Sequence, residues 1–309
     1  MMLSRVAERL YWMARYLERA EDTARLVNAY GHLALDLPRG AELGWQVLLR
    51  TLNVEHTFAA VHKRTTERNV MRYLLADGGN ISSILYSVQA ARENVRTTRD
   101  VIPSQAWELM NEFNLYVHEM ASASTARAHR FEFLESVVAR NQQINGLFHT
   151  TAARNHTYWF MQLGQLLERS DMTSRIVDVA AAAISERSKD LFASVPLFWA
   201  SLLHALSATA AYRRQIGPII VGDEVVQFVF KMAPFPRSLV YCINAIEETV
   251  GHLKAPGGML IDLRRLARTI TAFEHKGSAP SHLHTFVDQF QTRLAGLHDA
   301  ITETWFMPR

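Results

Sequence analysis

The sequence predicts an all-α protein, a helical bundle built from two tandem copies of a multi-helix repeat related by a pseudo-two-fold axis. Three observations carry that expectation. Glycine (14) and proline (9) are scarce in a chain of 309 residues, whereas a turn-rich β fold uses both freely. Apolar residues recur at three- and four-residue spacing, the period of a helix with one buried face. Finally, residues 11–27, YWMARYLERAEDTARLV, return as FMQLGQLLERSDMTSRIV at residues 160–177. Leu17, Glu18, Arg19, Ala20, Glu21, Thr23 and Arg25 align with Leu167, Glu168, Arg169, Ser170, Asp171, Thr173 and Arg175 at a constant offset of 150 residues.

The first helix is expected from about residue 4, with Ser4 as its N-cap, to about residue 35, where Leu37-Pro38-Arg39-Gly40 stops it. At about 100° per residue, Val6, Leu10, Met13, Leu17, Ala20 and Ala24 share a face with Glu21, while Glu18 and Arg25 lie on its edge. A carboxylate on an apolar face needs a partner, because burying it unpaired is costly. A second helix carries Trp45, Leu48, Leu49 and Leu52 on to Phe58, and a short one holds Val70 and Tyr73-Leu74-Leu75. Asp77-Gly78-Gly79-Asn80 reads as a turn suited to positive φ, followed by a helix starting near Ser82 and ending before Pro103. Further helices are expected at residues 104–120 and 130–149, joined by the small polar run Ser122-Ala123-Ser124-Thr125.

The second half repeats the series. Trp45, Leu48, Leu49 and Leu52 match Trp199, Leu202, Leu203 and Leu206 at an offset of 154. Residues 73–75 match 228–230, and Ser83, Tyr86, Ala90 and Glu93 match Ser238, Tyr241, Ala245 and Glu248, all at 155. Ile144, Gly146 and Leu147 match Leu294, Gly296 and Leu297 at 150. The expected organisation is a repeat at 1–150 and a second at 151–309, packed as one compact unit. A unit this long is a two-copy arrangement and not a solenoid array. The opening helices are the natural elements to meet near the axis, since Ala14, Ala20 and Ala24, matched by Gly164, Ser170 and Ser174, permit a close crossing.

Composition narrows the function classes. With 49% hydrophobic residues the chain can bury a substantial core, and one cysteine, Cys242, excludes an internal disulfide framework and fits a cytoplasmic setting. Arg5, Glu8 and Arg9 interrupt the stretch where a signal peptide needs apolar residues, and no apolar run is long enough to span a membrane. The charge of +3 comes from 33 basic and 30 acidic residues without a basic stripe, which argues against nucleic acid as a partner. Neither Glu-x-x-His nor His-Glu-x-x-His occurs, so no metal is indicated. Phosphate-binding glycine loops and a nucleophile elbow are also missing, and no cofactor or catalytic residue is assigned.

Two sites merit attention. Glu21 with Arg25, and Asp171 with Arg175, are i,i+4 pairs in the favourable acid-first order. They can tie neighbouring helices together, or they can line a shared cleft where arginine clamps a carboxylate or phosphate. The second is the run Met232-Ala233-Pro234-Phe235-Pro236-Arg237-Ser238, where a helix start could favour an anion beside Arg237 or could be a rigid turn with a solvated arginine. Its counterpart, Asn80-Ile81-Ser82-Ser83, keeps the serine and lacks the arginine.

Segments 7–26, 81–100, 163–176 and 235–248 together resemble the bacterial Alpha-E domain family, whose members are all-α proteins, over essentially the whole chain. The resemblance implies an association with a circularly permuted ATP-grasp ligase and a transglutaminase-like peptidase in making or modifying a peptide. The family's acid and arginine positions carry over onto Glu18, Arg19, Glu21, Arg25, Glu168, Arg169, Asp171, Arg175 and Arg237, which with Ser238 at the helix start are the candidate cleft or ligand-binding residues. The leading expectation is an accessory protein that binds the ligase or its peptide or amino-acid substrate. An enzyme using Glu18, Glu21, Glu168 or Asp171 as acid or base is the alternative, and an RNA-binding helical module the weaker one.

Overall fold

The computed structural model describes residues 4–38, 44–185, 194–275 and 280–307. All regular structure among them is helical. The first half contains α1 (Ser4–Asp36), α2 (Gln46–Thr51), α3 (Glu55–Val61), α4 (Glu67–Met71), α5 (Ile84–Arg96), α6 (Ser104–Met120) and α7 (Arg127–Thr151). The second contains α8 (His156–Ser185), α9 (Val195–Ala205), α10 (Thr209–Gln215), α11 (Gly222–Lys231), α12 (Leu239–Gly251), α13 (Met259–Ala272) and α14 (Pro280–Ile301). One π turn, Arg72–Ala76, follows α4, and another, Thr302–Phe306, follows α14. No single helix among the described residues is long and apolar enough to cross a membrane.

The two long helices α1 and α8 form the centre and share the largest contact in the molecule. Their crossing is close because Gly164 lacks a side chain: a Cβ there would stand 2.2 Å from the Tyr11 carbonyl oxygen. Leu10, Met13, Leu17, Ala20 and Ala24 of α1 are buried, as are Leu163, Leu167, Ser170 and Ser174 of α8. Around this pair, α5 and α7 pack on α1, and α12 and α14 pack on α8. Packing also runs across the halves, since α2 lies on α8 and α9 lies on α1, the latter contact including a hydrogen bond from Ser201 to the Ala29 carbonyl.

Three elements depart from expectation. The helix expected from Trp45 to Phe58 breaks into α2 and α3, because Asn53 adopts φ 54° and the amides of Asn53 and Val54 turn back to the Arg50 and Leu49 carbonyls. Asparagine tolerates that left-handed conformation better than most residues. Ser207 does the same after α9, at φ 52°, with Ser207 and Ala208 bonded to the His204 and Leu203 carbonyls. Helix α5 ends at Arg96 rather than near Pro103; the Thr97 and Thr98 hydroxyls there bond to the Glu93 and Asn94 carbonyls, competing with the helical ladder. At Gly78-Gly79 neither glycine takes positive φ; the turn is held instead by the Gly79 amide donating to Asp77 Oδ1.

Candidate functional site

The crossing of α1 and α8 is bridged by two reciprocal ion pairs. Arg19 reaches across to Glu168, donating from Nε to Oε1 at 2.6 Å and from Nη2 to Oε2 at 3.0 Å. Arg169 reaches back to Glu18, from Nε to Oε1 at 2.6 Å and from Nη2 to Oε2 at 2.9 Å. Each glutamate thus binds the arginine next to the other glutamate in a two-point fork, the strongest geometry available to this pair. A third donor completes each one: Arg15 Nε bonds to Glu168 at 2.7 Å, and the matching residue Gln165 bonds to Glu18 at 3.0 Å.

Both glutamates are buried. Burial alone would raise their carboxyl pKa values, but Arg169 and Arg237 beside Glu18, and Arg19 and Arg15 beside Glu168, outweigh it and hold each at about 2. They are permanent anions at neutral pH. Arg15 and Arg19 are also set by aromatic faces, with their guanidinium carbons 4.9 Å and 5.5 Å from the ring centroids of Trp12 and Tyr16.

Beyond this shared bridge the two flanks differ. On one, Arg237 enters from the loop before α12 and binds three acids of α1: Asp22 Oδ1 at 2.5 Å, Glu21 Oε1 at 3.1 Å and Glu18 Oε1 at 3.2 Å. Arg237 is buried, so the loop supplies neither a solvated arginine nor an anion site open to ligand; the carboxylates it meets are the protein's own. Ser238 caps α12 by accepting from the Tyr241 amide while its hydroxyl donates to the Met232 carbonyl. Glu21 also accepts from Arg25, which reaches Ser207 beside α9. Glu18, Glu21 and Asp22 thus face Arg25, Arg169 and Arg237, three acids against three arginines. Burial, opposed by Arg237 and reinforced by Glu18 and Glu21, pushes the Asp22 carboxyl up to about 7.

On the other flank the loop before α5 supplies Ser82 instead of an arginine. Its neighbour Ser83 caps α5 just as Ser238 caps α12, accepting from the Tyr86 amide and donating to the Asp77 carbonyl. A cavity of about 420 Å³ opens here, lined by Ser82, Arg15, Arg19, Glu168, Asp171 and Arg175 among others. Asp171 binds Arg175 at 3.0 Å, and both side chains are about a quarter exposed.

Of the sequence-predicted residues, then, Arg19, Glu168, Asp171 and Arg175 converge on a cavity. Glu18, Glu21, Arg25 and Arg237 are joined in a filled cluster, Arg169 bridges to it and lines a separate cavity of about 580 Å³ with Gln165, and Ser238 serves as a helix cap. Sequence reasoning passed over Arg15, Gln165 and Asp22. A signal for Asp22 existed: the half with the extra acid at Asp22, against Met172, is the half facing the extra arginine at Arg237, against Ser82. Among the described residues no three His, Cys, Asp or Glu side chains converge at metal-binding distances.

These features define an all-helical bundle whose centre is a helix crossing bridged by two Glu-Arg dipeptides, Glu18-Arg19 and Glu168-Arg169. The chain belongs to the Alpha-E family, described as a predicted alpha-helical domain with a conserved ER motif, which matches residues 2–306. No curated protein and no solved structure matches the chain.

Proposed function

We propose that this protein is a cytoplasmic, non-catalytic partner of an ATP-grasp-type peptide ligase, built from two tandem repeats about a pseudo-two-fold axis through the α1/α8 crossing. The reciprocal Arg19–Glu168 and Arg169–Glu18 pairs and the matched caps at Ser83 and Ser238 support the duplication. One observation carries the non-catalytic reading: both motif glutamates are buried anions with pKa values of about 2. A general acid or base works best with a pKa near the operating pH and needs access to substrate. Neither side chain has such a pKa, and both are committed to two-point arginine pairs, so they act as struts between the halves. The partner role follows the family resemblance, with the ligase or its peptide as what the molecule binds and a transglutaminase-like peptidase as a further associate. Mixing the purified chain with the ligase encoded beside it tests this reading. A complex or a change in ligase turnover is expected, and the absence of both contradicts it.

Asp171 supports a second reading. It is the motif acid that lines a cavity without being fully buried, so an enzyme acting through a carboxylate would use it. In that case Asp171→Asn abolishes turnover and leaves thermal stability unchanged.

A further inference from the structure

We infer that the cavity beside Glu168 and Asp171 binds a small organic carboxylate, specifically the C-terminal carboxylate of a peptide. The charge count points there. Arg15, Arg19 and Arg175 face Glu168 and Asp171, leaving one positive charge uncompensated among these cavity-lining groups. On the opposite flank the acids and arginines balance, and Arg237 fills the space. Here Ser82 is too short to do so, and arginine at position 15 replaces the neutral Gln165 of the other flank. The cavity therefore combines an excess cation with room for a ligand.

Its donors are already held in place. Arg15 and Arg19 are fixed by Glu168 and by the faces of Trp12 and Tyr16, so little ordering is needed on binding. Arg175 bonds to Asp171 through Nε, and its terminal nitrogens have no partner among the described residues. Thr57 and Tyr73 complete the wall, with the Tyr73 hydroxyl donating to Thr57 at 2.8 Å and the Thr57 hydroxyl donating to the Val54 carbonyl. A carboxylate, with one negative charge, neutralises the site; a phosphate dianion would leave an uncompensated negative charge next to Glu168 and Asp171. A volume of about 420 Å³ lies in the range of small-ligand pockets and accommodates the last residues of a peptide.

The inference rests on the peptide-partner reading for its biological sense and gives that reading a specific cleft. It is tested on the intact chain alone by titration calorimetry with Ala-Ala-Ala, the same peptide amidated at its C-terminus, and inorganic phosphate. The free acid is expected to bind. Amidation or Arg175→Gln weakens it about tenfold or more, while Arg175→Lys retains most of the affinity. Arg175 lies in a partly exposed intrahelical pair, so its replacement leaves the fold intact, which a melting curve verifies. Equal binding of acid and amide, binding of phosphate alone, or no binding of any probe overturns the inference. Acid-selective binding without a ligase complex would defeat the partner reading alone; a complex without peptide binding would defeat this inference alone.

Discussion

The two flanks of the α1/α8 crossing start from nearly the same motif and end in opposite states. Around Glu18, Glu21 and Asp22 the space is closed by Arg237, and the three acids are buried against it. Around Glu168 and Asp171 the corresponding loop offers Ser82, and a cavity with excess positive charge remains. Two similar motifs can thus end in different surroundings, one closed by an arginine of its own chain and one beside a cavity. Two of the differences, Asp22 against Met172 and Arg237 against Ser82, are partners in the closed cluster, and a third, Gln165 against Arg15, supplies the excess charge of the open one.

The largest effect is expected from breaking the closed flank. Arg237→Met leaves three buried acids without their shared cation and should cost about 3–5 kcal/mol in chemical denaturation. The double variant Asp22→Met, Arg237→Ser gives this flank the open one's residues at those two positions. It should lose less than the two single changes summed, with a coupling of about 1–3 kcal/mol.

Asp22 sharpens the contrast through pH. Its carboxyl is raised from 3.8 to about 7, so the native state holds the proton more tightly than the unfolded chain. Its contribution is complete below about pH 4 and is lost as pH rises through 7. Relative to Asp22→Asn, the wild type should lose melting temperature across that window. The smallest effect belongs to the open flank: Asp171→Asn removes a partly exposed i,i+4 pair and should change stability by about 0.5 kcal/mol or less.

Much of this was legible in the sequence because helices announce themselves locally. The apolar period placed α1 and α6 within a residue or so, and Gly164 with Ser170 and Ser174 foretold the close crossing. Breaks such as that at Asn53 do not show in the spacing of Leu48, Leu52 and Phe58, which keeps a helical pattern through a turn made by one left-handed residue and two local backbone hydrogen bonds. The acids and arginines were found, but their pairing depends on which loop reaches which helix. Arg237, 215 residues from Asp22, can be joined to it only by the fold. Arg15 carries no signal of this kind because the residue aligned with it, Gln165, is uncharged, so the two motifs do not match there.

The central claim is that the motif glutamates are locked anions that fasten α1 to α8. Carboxyl carbon shifts of Glu18 and Glu168, followed by NMR between pH 2 and pH 8 and assigned through Glu18→Gln and Glu168→Gln, test it directly. Both groups should stay ionised across the neutral range and titrate only near pH 2, with stability lost as pH falls from about 4.5. A midpoint for either glutamate above about 5 would mark a group free to exchange its proton near neutral pH and would contradict the claim.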